Sequence, residues 1–400
     1  MTRVNDLSRC LAVLDQDSTL IAVIELSLKS WLVAAIVPGL ARRPLKKLDA
    51  DPDEVLRLLE RWREEAAKAG RPITRIAVAF EAGRDGFWLA RWLRARGIEA
   101  HVIHSTSVAV PREHRRAKTD RLDTELLMRG FLGWLRGEPK HCQMAAIPTL
   151  DEEDARRPGR ERDVLVRECT RIANRMKATL IRLGIRGFNP KLRRAARRLE
   201  GLRTPEGAAL PANTLGELRR AMARLALLRD QIKEVEDQRL ARLTAAARAP
   251  RPADAAPAET CPGERARMVF QLAWIVGLGI ETGDLLVHEV FCRNLRDRRA
   301  VARYGGLTGA PDESGTRRRE KGLARAGNAR VRKAMIQLAW RFLIFQKDSA
   351  LAQWYRAQNL TAKGPRKTMI VALARKLLIA LWRYATTGVP PEGIVLRQPV

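Results

Sequence analysis

Short apolar segments alternating with helical patterns constrain the N-terminal part of this chain most strongly. Residues 19 to 38 contain two apolar runs joined by a polar turn, which predicts two short buried strands. Residues 73 to 80 and 98 to 104 predict two further strands. Amphipathic patterns over residues 53 to 69 and 85 to 96 predict the helices between them. Strands that alternate with helices in this way are typical of a mixed α/β domain.

The α/β domain is expected to span residues 18 to 145, and its last helix to run from Thr119, as the N-cap, to about Arg136. The pattern then changes. Residues 155 to 245 contain two long amphipathic segments, which predict a helical hairpin or a coiled-coil arm. The second segment opens with Thr214-Leu-Gly-Glu217, a capping-box pattern.

The C-terminal third of the chain is predicted to be a separate, mostly α-helical domain over residues 265 to 390. An Ala- and Pro-rich linker over residues 246 to 263 precedes it. Residues 363 to 385 predict a closing amphipathic helix. Its Trp and Leu side chains are expected to pack in the core rather than to stack on bases.

The charge balance indicates a polyanionic partner. Lys and Arg outnumber Asp and Glu by 75 to 45, a formal net charge of +30 that is spread over the whole chain. Nucleic acid is the partner that such a field favours. A protein that spans a membrane is not expected, because the chain has no apolar run of the ~18 to 20 residues that a span needs. Its N-terminal residues also lack the apolar core of a cleavable signal. We therefore expect a cytoplasmic protein.

The cysteines and histidines point away from a disulfide framework or a zinc site. The five cysteines are scattered and form no CxxC pair, and the five histidines show no ligand spacing. This pattern is typical of free thiols in a reducing compartment.

Four acidic residues have the pattern of a metal-dependent site that cuts phosphodiesters. Glu25 and Glu81 each end an apolar strand, where side chains line the ligand-binding edge of an α/β sheet. Asp120 and Asp123 are three residues apart, so on a helix they share one face. Their oxygen ligands suit Mg²⁺ or Mn²⁺, and two such ions can support phosphoryl transfer. The competing interpretation is that the two Asp residues only complement the positive end of their helix.

A second candidate site lies in the C-terminal domain. Gly277-Leu-Gly279 predicts a turn that opens a helix, either a plain turn or one whose N–H groups approach a phosphate. Further on, Ser314 is predicted to lie on a Gly-flanked loop, where its hydroxyl could reach a scissile phosphate. The alternative is a surface loop that only contacts phosphates. The predicted nucleic-acid-binding residues are Lys118, Arg317, Arg318, Arg319, Lys321, Arg325, Asn328, Arg330 and Arg332.

These segments together resemble the insertion-sequence one-ten family of transposases. The matching stretches are Ile21–Trp31, Phe80–Gly83, Lys118–Asp123, Trp274–Gly283, Val301–Pro311, Glu313–Gly315 and Gly322–Arg332. The resemblance implies a RuvC-like, RNase H-type N-terminal domain that holds metal with Asp, Glu, Asp and Asp, and it aligns Ser314 with the family's nucleophilic serine. This chain has Glu25 where the family usually has Asp. Asp15 or Asp17 is the alternative ligand, but both precede the strand, so we favour Glu25.

The resemblance also implies a function. It predicts a bacterial, nucleoid-associated transposase or site-specific DNA recombinase that forms a covalent DNA intermediate through Ser314. No histidine lies near Ser314 in sequence, so metal held by the carboxylates, brought close in three dimensions, would have to assist. The family implies such a composite site, within one subunit or across subunits. The family further implies a structured noncoding guide RNA and a homo-oligomer, a dimer that becomes a tetramer in synapsis. The alternatives from other classes are a RuvC-like hydrolytic nuclease and a non-catalytic nucleic-acid binder.

Overall fold

The computed structural model describes most of the chain in two compact units. The described residues are 10, 12–81, 83, 86–104, 107–108, 120–138, 141–250, 261–293, 295, 297–314, 317–324, 326–361 and 366–397. The first unit comprises Met1–Asp151 with Arg293–Asp297, and the second comprises Glu152–Cys292 with Arg298–Val400. No helix of the described part is both long and apolar enough to cross a membrane.

A mixed sheet forms the centre of the first unit. Within the described residues its strand order is β3-β2-β1-β4-β5-β6. The strands are β1 (Thr19–Leu26), β2 (Ser30–Ile36), β3 (Leu45–Asp49), β4 (Arg75–Glu81), β5 (Glu99–Ile103) and β6 (Met144–Ala145). β1, β4 and β5 are parallel, whereas β2, β3 and β6 each pair antiparallel with a neighbour. The sheet confirms a mixed α/β domain.

Helices cover both faces of this sheet. α1 (Pro52–Lys68) and α2 (Trp88–Arg94) pack on one face, and α3 (Asp120–Leu135) packs on the other. Side chains along a strand alternate between faces, so Leu20 joins the α1 side and Ile21 the α3 side. Two covered faces explain why β1 and β4 are continuously apolar in sequence.

The predicted helices and strands of this unit are confirmed, with shifted ends. α2 begins at Trp88 rather than near residue 85, which lies outside the described residues, as does the predicted cap Thr119. β3 and β6 were not predicted. β3 is a short edge strand with exposed Lys46 and Lys47, a composition that protects a sheet edge but lacks apolar alternation.

A helical hairpin opens the second unit. Its elements are α5 (Arg157–Arg182), α6 (Ala195–Glu200) and α7 (Ala212–Arg248), and the short α4 (Leu150–Asp154) precedes them. α5 and α7 pack together through an apolar core that includes Met176, Leu180 and Leu225. The helical hairpin is thus confirmed. The predicted capping box is wrong, because α7 starts at Ala212 after Pro211 and no side chain caps it.

The remainder of the second unit is mostly helical, as predicted, with one exception. Its elements are α8 (Pro262–Ala273), α9 (Ile280–Leu286), a π-helical turn (Val287–Phe291), α10 (Arg298–Tyr304), β7 (Gly309–Ser314), β8 (Arg317–Leu323), α11 (Ala329–Phe345), α12 (Ala350–Thr361) and α13 (Arg366–Thr387). The β7–β8 hairpin was not predicted. Leu373, Leu377 and Leu381 of α13 are buried, as expected. The predicted linker falls largely on residues 251–260, outside the described part.

The five cysteines are free thiols, as expected. Cys142 and Cys169 are buried, and burial raises the pKa of Cys142 to about 12, so this thiol stays protonated and unreactive.

Glu99 gives a test of the first unit's stability. Its carboxylate lies 2.8 Å from His101 Nε2 and 2.6 Å from Arg75 Nε, and the His101 hydrogen bond, with help from Arg75, lowers its pKa to about 2. Because the pKa of Glu99 is lower in the folded state, its ionised carboxylate stabilises the fold at pH values above the unfolded-state pKa near 4.5. This stabilisation is lost as the pH falls through about 2. We expect Glu99→Gln to lower the free energy of unfolding at pH 7 by roughly 1 kcal/mol, since the pair is partly solvated.

Urea unfolding at a series of pH values measures this effect. The difference between wild type and Glu99→Gln should shrink as pH falls below about 4. Glu64→Gln, at an exposed position on α1, is the matched control and should have little effect at any pH. A Glu99→Gln effect that does not depend on pH would contradict the assignment.

Candidate functional site

Two glutamates lie side by side at one end of the sheet. β1 and β4 are parallel and pair up to Ile24 opposite Phe80, so the residues that follow, Glu25 and Glu81, leave adjacent strand ends together. Both side chains are half-buried. By strand alternation both continue the face that carries Ile21, which is the face covered by α3.

α3 runs in the opposite direction to β4. Near the helix's C-terminal end, the Cys10 N–H donates to the Trp134 carbonyl at 2.9 Å. The thiol of Cys10 in turn lies 3.9 Å from Nη2 of Arg75, the first residue of β4. The end of α3 is therefore near the start of β4. The start of α3 points toward the opposite end of the sheet, where Glu81 lies.

The first turn of α3 contributes the two aspartates. Asp123 precedes buried Leu127 by four residues, so it continues the helical stripe that faces the sheet. Asp120 is the first residue of the same helix. The fold thus brings the positions of all four predicted carboxylates to one end and one face of the sheet. Among the side chains that the structure describes, no group of three is close enough to hold a metal ion, and the Asp120 side chain is not among them.

The alternative ligands Asp15 and Asp17 lie at the wrong end of β1. Both precede its first residue, and the part of β1 from Thr19 to Glu25 separates them from Glu25 by about 20 Å at ~3.3 Å per residue. Asp15 accepts hydrogen bonds from the Ser18 hydroxyl at 2.6 Å and from the Asp17 N–H, which lower its pKa. Asp17 pairs with Arg71 at 3.3 Å. These aspartates organise the turn before β1, so Glu25 is the acidic residue at the strand end.

Ser314 ends a strand rather than lying on a loop. It is the last residue of β7, and its register partner is Arg317, the first residue of β8. This corrects the predicted Gly-flanked loop, although the turn residues 315 and 316 lie outside the described part. The hairpin also carries Arg318, Arg319 and Lys321, whereas Lys118 and Arg325 are outside the described residues. Five of the predicted nucleic-acid-binding and catalytic residues therefore share one hairpin.

Close backbone contacts fix the base of this hairpin. Gly306 and Gly327 have positive φ, and a Cβ on Gly327 would lie 2.7 Å from the Gly306 nitrogen. Arg332 Nη1 donates to the Ala326 carbonyl at 3.2 Å and to that of Gly306 at 3.5 Å, so it ties the two sides of the base together. Asn328 caps α11, since its side chain accepts hydrogen bonds from the backbone N–H groups of Arg330 and Val331.

A buried glutamate anchors the same region. Glu289, in the π-helical turn, is 3% exposed, and it accepts hydrogen bonds from Asn328 Nδ2 and Arg330 Nη1, both at 3.2 Å, and from Arg160 at 3.3 Å. Burial opposes its charge, but Arg160, Arg156 and Arg330 outweigh burial and lower the pKa of Glu289. The predicted phosphate contacts Asn328 and Arg330 therefore have partners within the protein. Sequence reasoning missed Glu289; an acid inside the apolar run of residues 285 to 291 was the available signal.

Glu289→Gln should destabilise the second unit. Removing one charge from a buried, hydrogen-bonded network leaves the arginines uncompensated, at an expected cost of about 3 kcal/mol at pH 7. The midpoint of urea unfolding measures it. Glu217→Gln, at an exposed position on α7, is the matched control with an expected change below about 0.5 kcal/mol. Equal midpoints for the two variants would rule out an anchoring role for Glu289.

Comparison with known proteins identifies the class. The family described as Transposase IS116/IS110/IS902 matches residues 271–356, which include the Ser314 hairpin and α11. The chain is also 40% identical over 382 residues to the Sinorhizobium fredii protein named "Putative transposase y4rJ", covering 94% of each chain. These similarities define a DNA-recombining enzyme, a transposase. The chain belongs to the IS116/IS110/IS902 transposase family.

Proposed function

We propose that this transposase cuts and rejoins DNA, that Glu25, Glu81, Asp120 and Asp123 hold Mg²⁺ (or Mn²⁺) for the reaction, and that Ser314 is the nucleophile. The observation that carries the proposal is the convergence of the four carboxylate positions at one end and one face of the sheet. Composition alone does not require four scattered acids of a basic protein to occupy positions at the same end of one sheet.

The topology of the sheet supports an RNase H-like, RuvC-like assignment. An antiparallel β1–β2–β3 meander followed by two strands parallel to β1 gives the order that such a fold requires, and helices cover both faces. Acidic residues at the ends of β1 and β4 and on the helix that packs over them then form the expected ligand set. In this arrangement Glu25, half-buried near the end of β1, stands where the family usually has aspartate.

The donor set fits a hard divalent cation, since carboxylate oxygens are the ligands that Mg²⁺ and Mn²⁺ prefer. When bound, such an ion polarises a phosphoryl oxygen and offsets the charge that develops on it. The protein's own part is to hold the four acids at the sheet edge and to keep α3 packed through Leu127 and Phe131.

Ser314 supplies the covalent step of the proposal. Its Oγ attacks the scissile phosphorus, the Oγ–P bond forms as the P–O bond to the leaving strand breaks, and the serine proton ends on the released hydroxyl. The phosphoserine link conserves the ester energy, so the reverse attack by another strand rejoins DNA. Arg317, Arg318 and Arg319 follow on the adjoining strand and can offset phosphate charge.

The proposal extends to partners. The formal charge of +30 can neutralise more than one polyanion, which supports the guide RNA expected from the family together with donor and target DNA. The α5–α7 hairpin offers a coiled-coil-like element for the dimer, and for the tetramer expected in synapsis.

A denaturing gel tests the proposal. Purified protein is incubated with Mg²⁺ and labelled DNA that spans the element junction, with and without the transcript that flanks the element. A covalent protein–DNA adduct that needs Mg²⁺ supports a metal-dependent serine reaction, and an adduct that also needs the transcript supports RNA guidance. DNA cutting that proceeds without any adduct would overturn the serine step.

A hydrolytic nuclease is the second candidate, and one observation favours it: all four carboxylates belong to the first unit, whereas Ser314 belongs to the second. The first unit therefore carries a complete acidic set of its own, and water would be the nucleophile. Cutting by a Ser314→Ala protein, with free 5′ and 3′ ends as the products, is the result that this candidate requires.

A further inference from the structure

A dense group of exposed basic side chains lies where α5 is connected to α7. Residues 182 to 203 contain eight basic residues and one acid, Glu200. All eight are exposed. We call them the basic connector: Arg182, Arg186, Lys191, Arg193, Arg194, Arg197, Arg198 and Arg203. This ratio of eight to one far exceeds the 75 to 45 of the whole chain.

The basic connector is built on an ordered scaffold. Phe188, Ala195 and Leu199 are buried in the core shared by α5 and α7. The Arg229 Nη2 group donates to the Pro190 carbonyl at 2.8 Å and fastens the segment to α7. The basic side chains therefore extend from a fixed backbone, which lowers the entropy cost of binding a partner.

The charges of the basic connector are not neutralised within the protein. Across the described residues, none of its eight basic groups forms an ion pair with a carboxylate. The single acid, Glu200, pairs at 2.6 Å with Arg219 of α7 instead. Arginines four apart on α6 and just before it, such as Arg194 and Arg198, repel each other, which destabilises the isolated helix.

The opposite end of the same two helices shows the contrast. There Arg162 pairs with Glu236 at 2.5 Å, and Arg239 of α7 pairs with Glu281 at 2.5 Å. Asp163 of α5 pairs with Arg330 at 2.5 Å. From Asp163 to the end of α5 near Leu183 is about 30 Å at ~1.5 Å per residue. Within its unit, the hairpin thus has a charge-paired end and an unpaired basic end.

We propose that the basic connector binds the phosphate backbone of duplex DNA, through residues other than the carboxylates and Ser314. Seven of its eight basic groups are arginines, whose planar guanidinium groups match phosphate oxygens bidentately. A surface with eight basic groups and a single acid, which is itself paired with Arg219, suits a regular polyanion better than a protein surface of mixed sign. DNA is the partner to which we commit, because the chain belongs to a transposase family. The inference does not depend on the proposed chemistry.

DNA binding without catalysis tests this inference. The variant R193Q/R194Q/R197Q/R198Q removes four charges and keeps a polar side chain at each position. Fluorescence anisotropy with a labelled duplex of arbitrary sequence is recorded in EDTA, over roughly 50 to 200 mM salt. We expect the slope of log K against log salt to become shallower by about 3 to 4, and the affinity to fall about tenfold or more. A milder variant, R193Q/R197Q, should make the slope shallower by about 2.

The matched control is R57Q/R61Q/R63Q/K68Q, which makes the same charge change at exposed positions of α1 among neighbouring acids. Its slope should change by less than about 1. Both connector variants should unfold at or above the wild-type temperature, because repulsion is relieved. Unchanged DNA binding by both connector variants overturns the proposal, as does an equal loss in the control. Loss of binding to a labelled RNA hairpin, with duplex binding intact, also overturns it and assigns the surface to RNA.

Discussion

Ser314→Ala is expected to abolish the covalent protein–DNA adduct. The variant lacks the only group that the proposal allows to bond phosphorus, so the rate of adduct formation should fall by roughly 10⁴-fold or more. The substitution removes one exchangeable hydroxyl at the end of β7 and leaves the backbone register with Arg317 unchanged. DNA binding in EDTA and the thermal unfolding curve should therefore match those of the wild type. The measurement is the radiolabelled or fluorescent adduct on a denaturing gel as a function of time.

A hydroxyl just before the start of the same strand provides the control. Thr308 directly precedes β7, and Thr308→Ala should retain the adduct within a few-fold of wild type. An adduct that persists in Ser314→Ala would exclude this serine. Loss of the adduct together with continued cutting would leave the carboxylates active and move the function to the hydrolytic candidate. Each result separates the nucleophile from the metal-binding residues.

Asp123→Asn is expected to lower both cutting and adduct formation by about 10² to 10³-fold at a fixed Mg²⁺ concentration. The substitution removes one of four negative charges from the proposed ligand set while it keeps the shape of the side chain. Affinity for the cation should fall, so raising Mg²⁺ or supplying Mn²⁺ should recover part of the rate. Initial rates across a metal titration measure this.

Glu125→Gln separates a ligand from a helix-dipole effect. Glu125 lies on the exposed side of α3, pairs with Arg121 at 3.4 Å, and is in the same part of the helix as Asp123. If the aspartates only complement the positive end of α3, both variants should lose a few tenths of a kcal/mol of stability and neither should lose activity. Activity lost in Asp123→Asn alone, with metal-dependent recovery, would support the ligand role. Full activity in Asp123→Asn would remove this residue from the site.

Local sequence patterns were sufficient for most of the N-terminal elements. Alternating or continuous apolar runs located β1, β2, β4 and β5, because the strands that are buried on both faces have few other compositions available. The acids Glu25 and Glu81 were recognisable because each ends such a run. The resemblance to a transposase family was likewise visible in the sequence, and the relative of 40% identity confirms it.

Other elements carried no such pattern. The β7–β8 hairpin was missed because its strands are strongly charged and lack apolar alternation; its register instead sets Glu313 opposite Arg318 and Asp312 opposite Arg319. The strand β3 was missed for a similar reason. The capping box at Thr214 was wrong because a local motif does not fix where a long helix begins when packing against α5 extends it.

The sequence by itself determined where four strands of the sheet and most helices lie, and that the protein favours polyanions. Only the tertiary structure decided which strand ends lie together. The parallel pairing of β1 with β4 and the reversed direction of α3 bring Glu25, Glu81 and Asp123 to one edge, and they exclude Asp15 and Asp17 by the length of β1. Only the structure separated the neutralised end of the α5–α7 hairpin from its basic end, because ion pairs join residues that are distant in sequence. Local composition can indicate where basic residues are concentrated. Whether carboxylates neutralise them depends on which helices pack together.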